Sequence, residues 1–233
     1  MSIFRFKQFE VDQIGCAMKI NTDGVLVGAM AQHSSPKNIL DIGTGTGVIA
    51  LMLAQRFPNA NVEAVEIDDQ AAETARKNFD NSIFADRLTI ENIAFEQYDS
   101  NKKFDLIVSN PPFFVNDLKS EEIRKGIARH ATENFFEMLI KKSNDILNDS
   151  GKLWFILPIK QANEVIKFAS TYKLELSERI HIHSDLNKPT FRQMICLSRQ
   201  KENLLERDFY LYESFQNHAQ EYKMLLKEFF LAF

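Results

Sequence analysis

From Asn38 onward the chain alternates apolar runs with amphipathic stretches, and that alternation leaves few folds open. "NILDIG", "NVEAVEI", "RLTIENI", "FDLIVS" and "KLWFILP" read as buried strands. "GVIALMLAQRF", "DQAAETARKNFDNS", "NFFEMLIKKSNDILND" and "QANEVIKFASTY" read as helices, the first closed by Pro58 and the third by Gly151. Most of these strands are separated by a helix, so they pair in parallel and helices cover both faces of the sheet. "LELSERIHIH" and "FRQMICLSR" follow each other directly through the turn-rich "SDLNKPT", which predicts one antiparallel strand at an edge. The expectation is an α/β fold with a seven-stranded, mostly parallel sheet. Ahead of it, "FRFKQFEV" and "GCAMKI" predict an N-terminal β-hairpin and "DGVLVGAMAQHS" a helix; behind it, "AQEYKMLLKEFFLAF" predicts a helical tail. The chain reads as a single domain over 1–233, with the core at 38–200 between the segments 1–37 and 201–233.

A chain of 233 residues with 45% hydrophobic and 26% charged residues is that of an ordinary globular protein. No apolar run reaches the roughly 20 residues a bilayer span requires, and the first residues carry no signal pattern. Cys16 and Cys196 stand far apart without metal-type spacing, so reduced thiols, a cytoplasmic location and no metal are expected. The net charge of −4 argues against indiscriminate coating of nucleic acid. Two stretches are locally basic: 119–129 has four cations and two anions, and 188–201 has four cations and no acid.

Sheets of this kind bind ligands beyond the C-terminal strand ends, near the point where strand order reverses. Two unusual motifs fall there. In "LDIGTGTG" Asp41 ends a strand and Gly43, Gly45 and Gly47 form a tight turn into a helix. The spacing is not that of the dinucleotide fingerprint, and no Lys follows as in a triphosphate loop. Asp41 would repel a pyrophosphate but suits a cation. Glu66 ends the next strand, where a carboxylate accepts bonds from ribose hydroxyls; Ile67 follows it. Asn92 and Ile93 close the strand after that, where an adenine ring would be gripped.

The second motif is "FDLIVSNPPFF". Proline cannot donate to a ladder, so Pro111 and Pro112 stop the strand and hold Asn110 rigidly at its mouth. A glycine loop with acids beside it suits a positively charged nucleoside, which describes S-adenosylmethionine. "LDIGTGTGVIAL", "VEAVEID" and "DLIVSNPPF" resemble the Rossmann-like class I methyltransferases that modify exocyclic amines, with Asn110, Pro111, Pro112 and Phe113 matching their [NDS]-PP-[YFW] motif. Such an amine shares its lone pair with the ring and is a poor nucleophile. The Asn110 side-chain oxygen and the Pro111 carbonyl both accept bonds from the NH₂, which localises the lone pair on nitrogen, and Phe113 stacks on the base.

That motif serves adenine, guanine and glutamine amines alike, so the termini have to discriminate. "FRFKQFEVDQIGCAMKINTDGVLVGAMA" is similar to the N-terminus of the tRNA1(Val) (adenine(37)-N6)-methyltransferase family, with Ala29-Met30 in place of the usual Ala-Trp. The resemblance implies S-adenosylmethionine as cofactor, the N6 amine of an anticodon-loop adenine in tRNA as substrate, and Thr22 and Asp23 in a segment covering the methionine end of the cofactor. It leaves an rRNA guanine-N2 or protein glutamine-N5 methyltransferase, or a silent RNA-binding relative, as alternatives. The basic stretches would track the tRNA backbone, and His130 reads as a loop or capping residue rather than a base.

Overall fold

The structure, a computed structural model, describes residues 3–112, 123–214 and 216–233. A short hairpin, β1 (Ile3–Arg5) and β2 (Glu10–Asp12), precedes helix α1 (Thr22–Met30). The alternating core runs β3 (Asn38–Ile42), α2 (Val48–Arg56), β4 (Asn61–Glu66), α3 (Asp69–Asp80), β5 (Leu88–Asn92) and β6 (Phe104–Ser109). It continues with α4 (Ile123–Ile146), β7 (Leu147–Leu157), α5 (Ile159–Thr171), β8 (Glu175–His183) and β9 (Thr190–Ser198). β10 (Leu205–Tyr210), a small ladder of β11 (Tyr212–Ser214) and β12 (Asn217–His218), and α6 (Gln220–Leu226) complete the chain. Among the described residues no helix is long and apolar enough to cross a membrane.

The central sheet has the order β10-β8-β9-β7-β6-β3-β4-β5, parallel throughout except for β9. From β3 the chain first builds outward through β4 to β5, then returns to β6 on the other side of β3. Chain direction therefore reverses between β3 and β6, and a crevice opens beyond their C-terminal ends. Side chains of the inner strands alternate between two cores, which is why the strands read as continuous apolar runs. Ile39, Leu106, Val108, Trp154 and Ile156 pack with α1, α2, α3 and α6; Leu40, Ile107, Leu153 and Phe155 pack with α4 and α5.

The expected α/β class and N-terminal hairpin are present, with four differences in detail. The sheet has eight strands, because Leu205–Tyr210 pairs in parallel with β8 where a helical tail was expected. Its charged pattern suits an edge: Glu206 bonds Arg179 and His181, and Asp208 bonds His183. The antiparallel strand is not at the edge but between β7 and β8. β8 leaves the place beside β7 vacant, and the more apolar β9 turns back to fill it. The hairpin lies wholly within residues 3–12, and "GCAMKI" forms no strand. The long helix ends at Ile146 rather than at Gly151, since Leu147 already pairs with Phe104 and is buried; Gly151 sits inside a bulged strand.

The last residues close against the first. Phe6 stacks on Phe9 with centroids 4.4 Å apart and makes tilted contacts with Phe4 and Phe230. Lys7 Nζ donates to the carbonyls of Lys227 (2.6 Å) and Phe233 (2.8 Å). The C-terminal segment thus acts as the clasp that holds the hairpin. Phe6→Ala is expected to lower the unfolding free energy by about 3–5 kcal/mol, read as a lower urea midpoint.

Candidate functional site

The glycine turn is built by its neighbours. Gly43, Gly45 and Gly47 have φ of 72°, 56° and 82°, a left-handed run that L-residues with side chains resist. A Cβ on Gly47 would lie 2.6 Å from Phe79 Cε1, so that position is closed by packing. A Cβ on Gly43 or Gly45 would meet nothing within 4 Å, so those two face open space, a cradle that any side chain would fill.

Glu66 ties this turn to the next one. Its Oε2 accepts from Gly45 N–H (2.8 Å) and its Oε1 from Asp68 N–H (2.9 Å). A carboxylate has about four lone-pair directions, so each oxygen keeps one for a ligand. Ile67, next to it, is 69% exposed, an apolar side chain held out at the rim. Asn92 Nδ2 donates to the Glu66 carbonyl (3.0 Å), and Ile93 N–H donates to the same oxygen (2.9 Å). Asp41 is fully buried, with Oδ2 taking the Thr44 hydroxyl (2.6 Å) and Oδ1 without a hydrogen-bond partner among the described residues. Burial pushes its carboxyl up to about 7, and Glu66 adds to the rise.

On the other side of the crevice, Ser109 Oγ donates to the Ile42 carbonyl (2.8 Å) and locks the end of β6 to the end of β3. Asn110 follows, half-buried, with Pro111 buried and Pro112 exposed. The start of α1 lies over it. Asn21 caps that helix through Gly24 N–H (2.9 Å), and a Cβ on Gly24 would lie 3.8 Å from Asn110 Nδ2 and 3.8 Å from Ile49 Cγ1. The Asn110 carboxamide therefore lies beside the start of α1, just past the end of β6. Asp23, one residue before Gly24, is buried and pairs with Arg192 Nε of β9 at 2.8 Å. Its carboxylate anchors α1 to the sheet. Phe113 lies outside the described residues.

The strand register thus brings Asp41, Gly43, Gly45, Glu66, Asn92 and Asn110 to one edge, spread over β5, β4, β3 and β6. It does not bring all the basic residues there. Gln193 pairs with Leu157 at the crevice end of β9, whereas Ser198 pairs with Lys152 at the far end. Arg199, bonded to Asn144 and Asp149, and Lys201 consequently lie on the opposite edge of the sheet; only the 188–192 half borders the crevice. The stretch 119–129 is outside the described residues or has its side chains outside them. His130, read as a loop or capping residue, falls within α4.

Two contributors escaped the sequence reading. Asn78, on the buried face of α3, donates to the carbonyls of Asp12 (2.9 Å) and Thr46 (2.8 Å) and joins the hairpin to the glycine turn. A polar residue three positions after inward-facing Ala75 was the signal. Arg192 was read only as one of several basic residues, although its partner lies 169 positions away. Cys16 and Cys196 are free and buried.

Comparison with known proteins agrees with this arrangement. A model of the methyltransferase small domain matches residues 21–178. A tRNA1(Val) (adenine(37)-N6)-methyltransferase of Pedobacter heparinus is 56% identical over 230 residues, covering 99% of this chain and 98% of its own. A protein of the same name from Bacteroides thetaiotaomicron is 38% identical, covering 98% and 97%. Among solved structures, a predicted O-methyltransferase from Agrobacterium tumefaciens aligns with a TM-score of 0.71 at 18% identity, over 89% of this chain and 96% of its own. The ribosomal protein L11 methylase of Lactobacillus delbrueckii aligns with a TM-score of 0.59 at 18% identity, over 82% and 84%. At such identity the structural likeness speaks for the fold alone.

Two outcomes are expected from the site's geometry. Gly47→Ala should cost about 2–4 kcal/mol of stability, through the Phe79 clash and the positive φ, while Gly45→Ala costs about 1–2 kcal/mol through φ alone; paired urea titrations measure both. The folded protein holds the Asp41 proton more tightly than the unfolded chain, so its contribution to stability is largest below pH ~4 and falls as pH rises towards about 7. Asp41→Asn should lack that decline. Unfolding free energies of both proteins, compared from pH 4 to 8, should converge or cross with the wild type falling relative to the variant.

Proposed function

The chain belongs to the methyltransferase small-domain family and to that of the tRNA1(Val) (adenine(37)-N6)-methyltransferases, and from that premise we propose that it methylates the N6 amine of adenosine 37 in the anticodon loop of tRNA1(Val). It is an S-adenosylmethionine-dependent methyltransferase. The observation that supports the reading is the position of Asn110, half-buried between the end of β6 and two prolines at the reversal point of the sheet, with its Nδ2 3.8 Å from where a Gly24 side chain would begin.

The residues around the crevice fit the cofactor. S-adenosylmethionine supplies a methyl group on positively charged sulfur, which needs no metal to make it transferable. The Glu66 carboxylate, with an unused lone pair on each oxygen, takes the ribose hydroxyls. Exposed Ile67, with Asn92 and Ile93, borders the adenine. Gly43 and Gly45 give room for close backbone approach. Asp41 is buried close to the glycine turn, where a bound cation offsets its charged form. Thr22 and Asp23 hold the start of α1 over the methionine end.

The chemical task of the chain is to make a conjugated amine nucleophilic. Asn110 Oδ1 and the Pro111 carbonyl accept one hydrogen each from the NH₂. Two acceptors off the ring plane favour a pyramidal nitrogen, with its lone pair localised for attack. By its place in the motif Phe113, outside the described residues, is assigned the stack on the base. Prolines on the carbonyl side of Asn110 remove backbone freedom, so little reorganisation is left for the transfer itself. A loop adenosine is already unpaired, so bringing it into the crevice costs less than extruding a base from a duplex. A cytoplasmic location follows from a tRNA substrate.

Labelled cofactor offered with unmodified total tRNA, ribosomal subunits or release factor tests the substrate class. Label in tRNA, released on digestion as N6-methyladenosine, is the expected result; label confined to rRNA or protein would overturn it. Asn110→Ala is expected to lower kcat roughly 10²–10³-fold, about 3 kcal/mol in barrier, with S-adenosylmethionine affinity retained in calorimetry. Near-normal turnover in that variant would remove the assigned role.

A further inference from the structure

Along the same sheet edge, past β9, an open cavity of about 880 Å³ lies where loop 184–189 faces the β11–β12 ladder. One wall is an aromatic column. Tyr212, His218 and Tyr222 stack at centroid separations of 4.6 Å per step, with planes 20° and 19° apart. Phe233 meets His218 and Tyr222 edge-on and supports the column from the side. Half-buried Tyr212 is its end ring and lines the cavity. The ring is held in place from the backbone, because Tyr212 N–H donates to the Ser184 carbonyl (2.9 Å) and His218 Nδ1 lies 3.3 Å from the Leu211 carbonyl.

The polar lining decides what such a column would stack. Asp185 accepts from Asn187 N–H (2.9 Å) through one oxygen, and Glu213 from Gln220 N–H (3.1 Å) and Asn217 Nδ2 (3.4 Å) through both. Lys188 Nζ and the Asn187 carboxamide make no bond among the described residues. Two acids against one lysine make a poor phosphate site. A ring face with carboxylate, carboxamide and ammonium groups around it instead suits the face and edge of a nucleobase.

Position adds the rest. β8, whose C-terminal end bears this cavity, stands three strands from β6, which bears Asn110. At the usual strand spacing that separation is about 14 Å, within reach of a flanking nucleotide on one single strand. Phe191 and Arg192 of β9 lie between the two, with the Arg192 guanidinium 5.6 Å from the Phe191 ring centroid.

We infer that this cavity is a second nucleobase subsite, in which a loop base flanking the methylated adenosine stacks on Tyr212 and is read at its edge by Asn187 and Lys188. The inference rests on the tRNA reading above, and its test keeps the two apart. Anticodon stem-loops made abasic at single loop positions other than the target are bound to wild type and to Tyr212→Ala, and affinity is followed by fluorescence anisotropy. One abasic position should weaken wild-type binding about tenfold and leave the Tyr212→Ala protein, itself about tenfold weaker on the intact loop, unaffected. S-adenosylmethionine affinity should not change. Asn187→Ala, at an exposed loop, should show a smaller loss coupled to the same position and guards against misfolding of the Tyr212 variant. A wild type that methylates tRNA but shows no coupled position in either variant overturns the subsite alone. A wild type that neither binds nor methylates tRNA overturns the substrate reading and the subsite with it.

Discussion

The two oxygens of Glu66 carry the arrangement of the crevice. One holds the glycine turn after β3 and the other the first residues before α3, so a single carboxylate sets the distance between two strand ends. Hydrogen bonds to a charged acceptor are stronger than neutral ones and lock direction as well as distance. That carboxylate is nearly buried yet retains lone pairs, so in the proposed function the brace is also the ligand acceptor. Asp41 beside it is driven towards its neutral form by burial.

Across the crevice the constraint is steric. Pro111 and Pro112 end β6, and Ser109 bonds the neighbouring strand, so Asn110 has a fixed origin. The start of α1 then closes the space above it, with glycine at the one position that lies against the carboxamide. Val25, Leu26, Val27, Ala29 and Met30 pack α1 into the core, and polar contacts fix its two ends. Asp23 and Arg192 pin its beginning to β9, and Arg56 Nη1 donates to the carbonyls of Gly28 (3.0 Å) and Ala31 (2.6 Å) at its end. The hairpin before α1 is in turn clasped by the last residues of the chain. The crevice edge therefore depends on contacts between segments at opposite ends of the sequence.

Much of this was legible beforehand because it is local. Strand and helix periods, the glycine turn, the proline stop and the carboxylate at a strand end all arise within a few residues, and each proved to lie at the predicted strand end. The misreadings were of another kind. "LERDFY" alternates charges and was read as tail, since nothing local states that β8 offers it a free edge. The antiparallel strand was assigned to the edge, although the greater apolarity of "MICL" over "SERIHIH" marks it as the inner of the two. The basic residues of 188–201 were read as one patch, but a nine-residue strand carries its two ends to opposite sides of the sheet.

By itself the sequence determined the strands and helices of the alternating core, and which side chains stand at their mouths, because backbone stereochemistry and side-chain period act over short separations. The tertiary structure alone decided which strand fills the place beside β7, which cations border the crevice, and that Asp23 and Asn78 serve as struts. Those outcomes depend on pairings between residues far apart in the chain, where the free energy comes from filling a gap or satisfying a buried polar group, and no local pattern records such a partner.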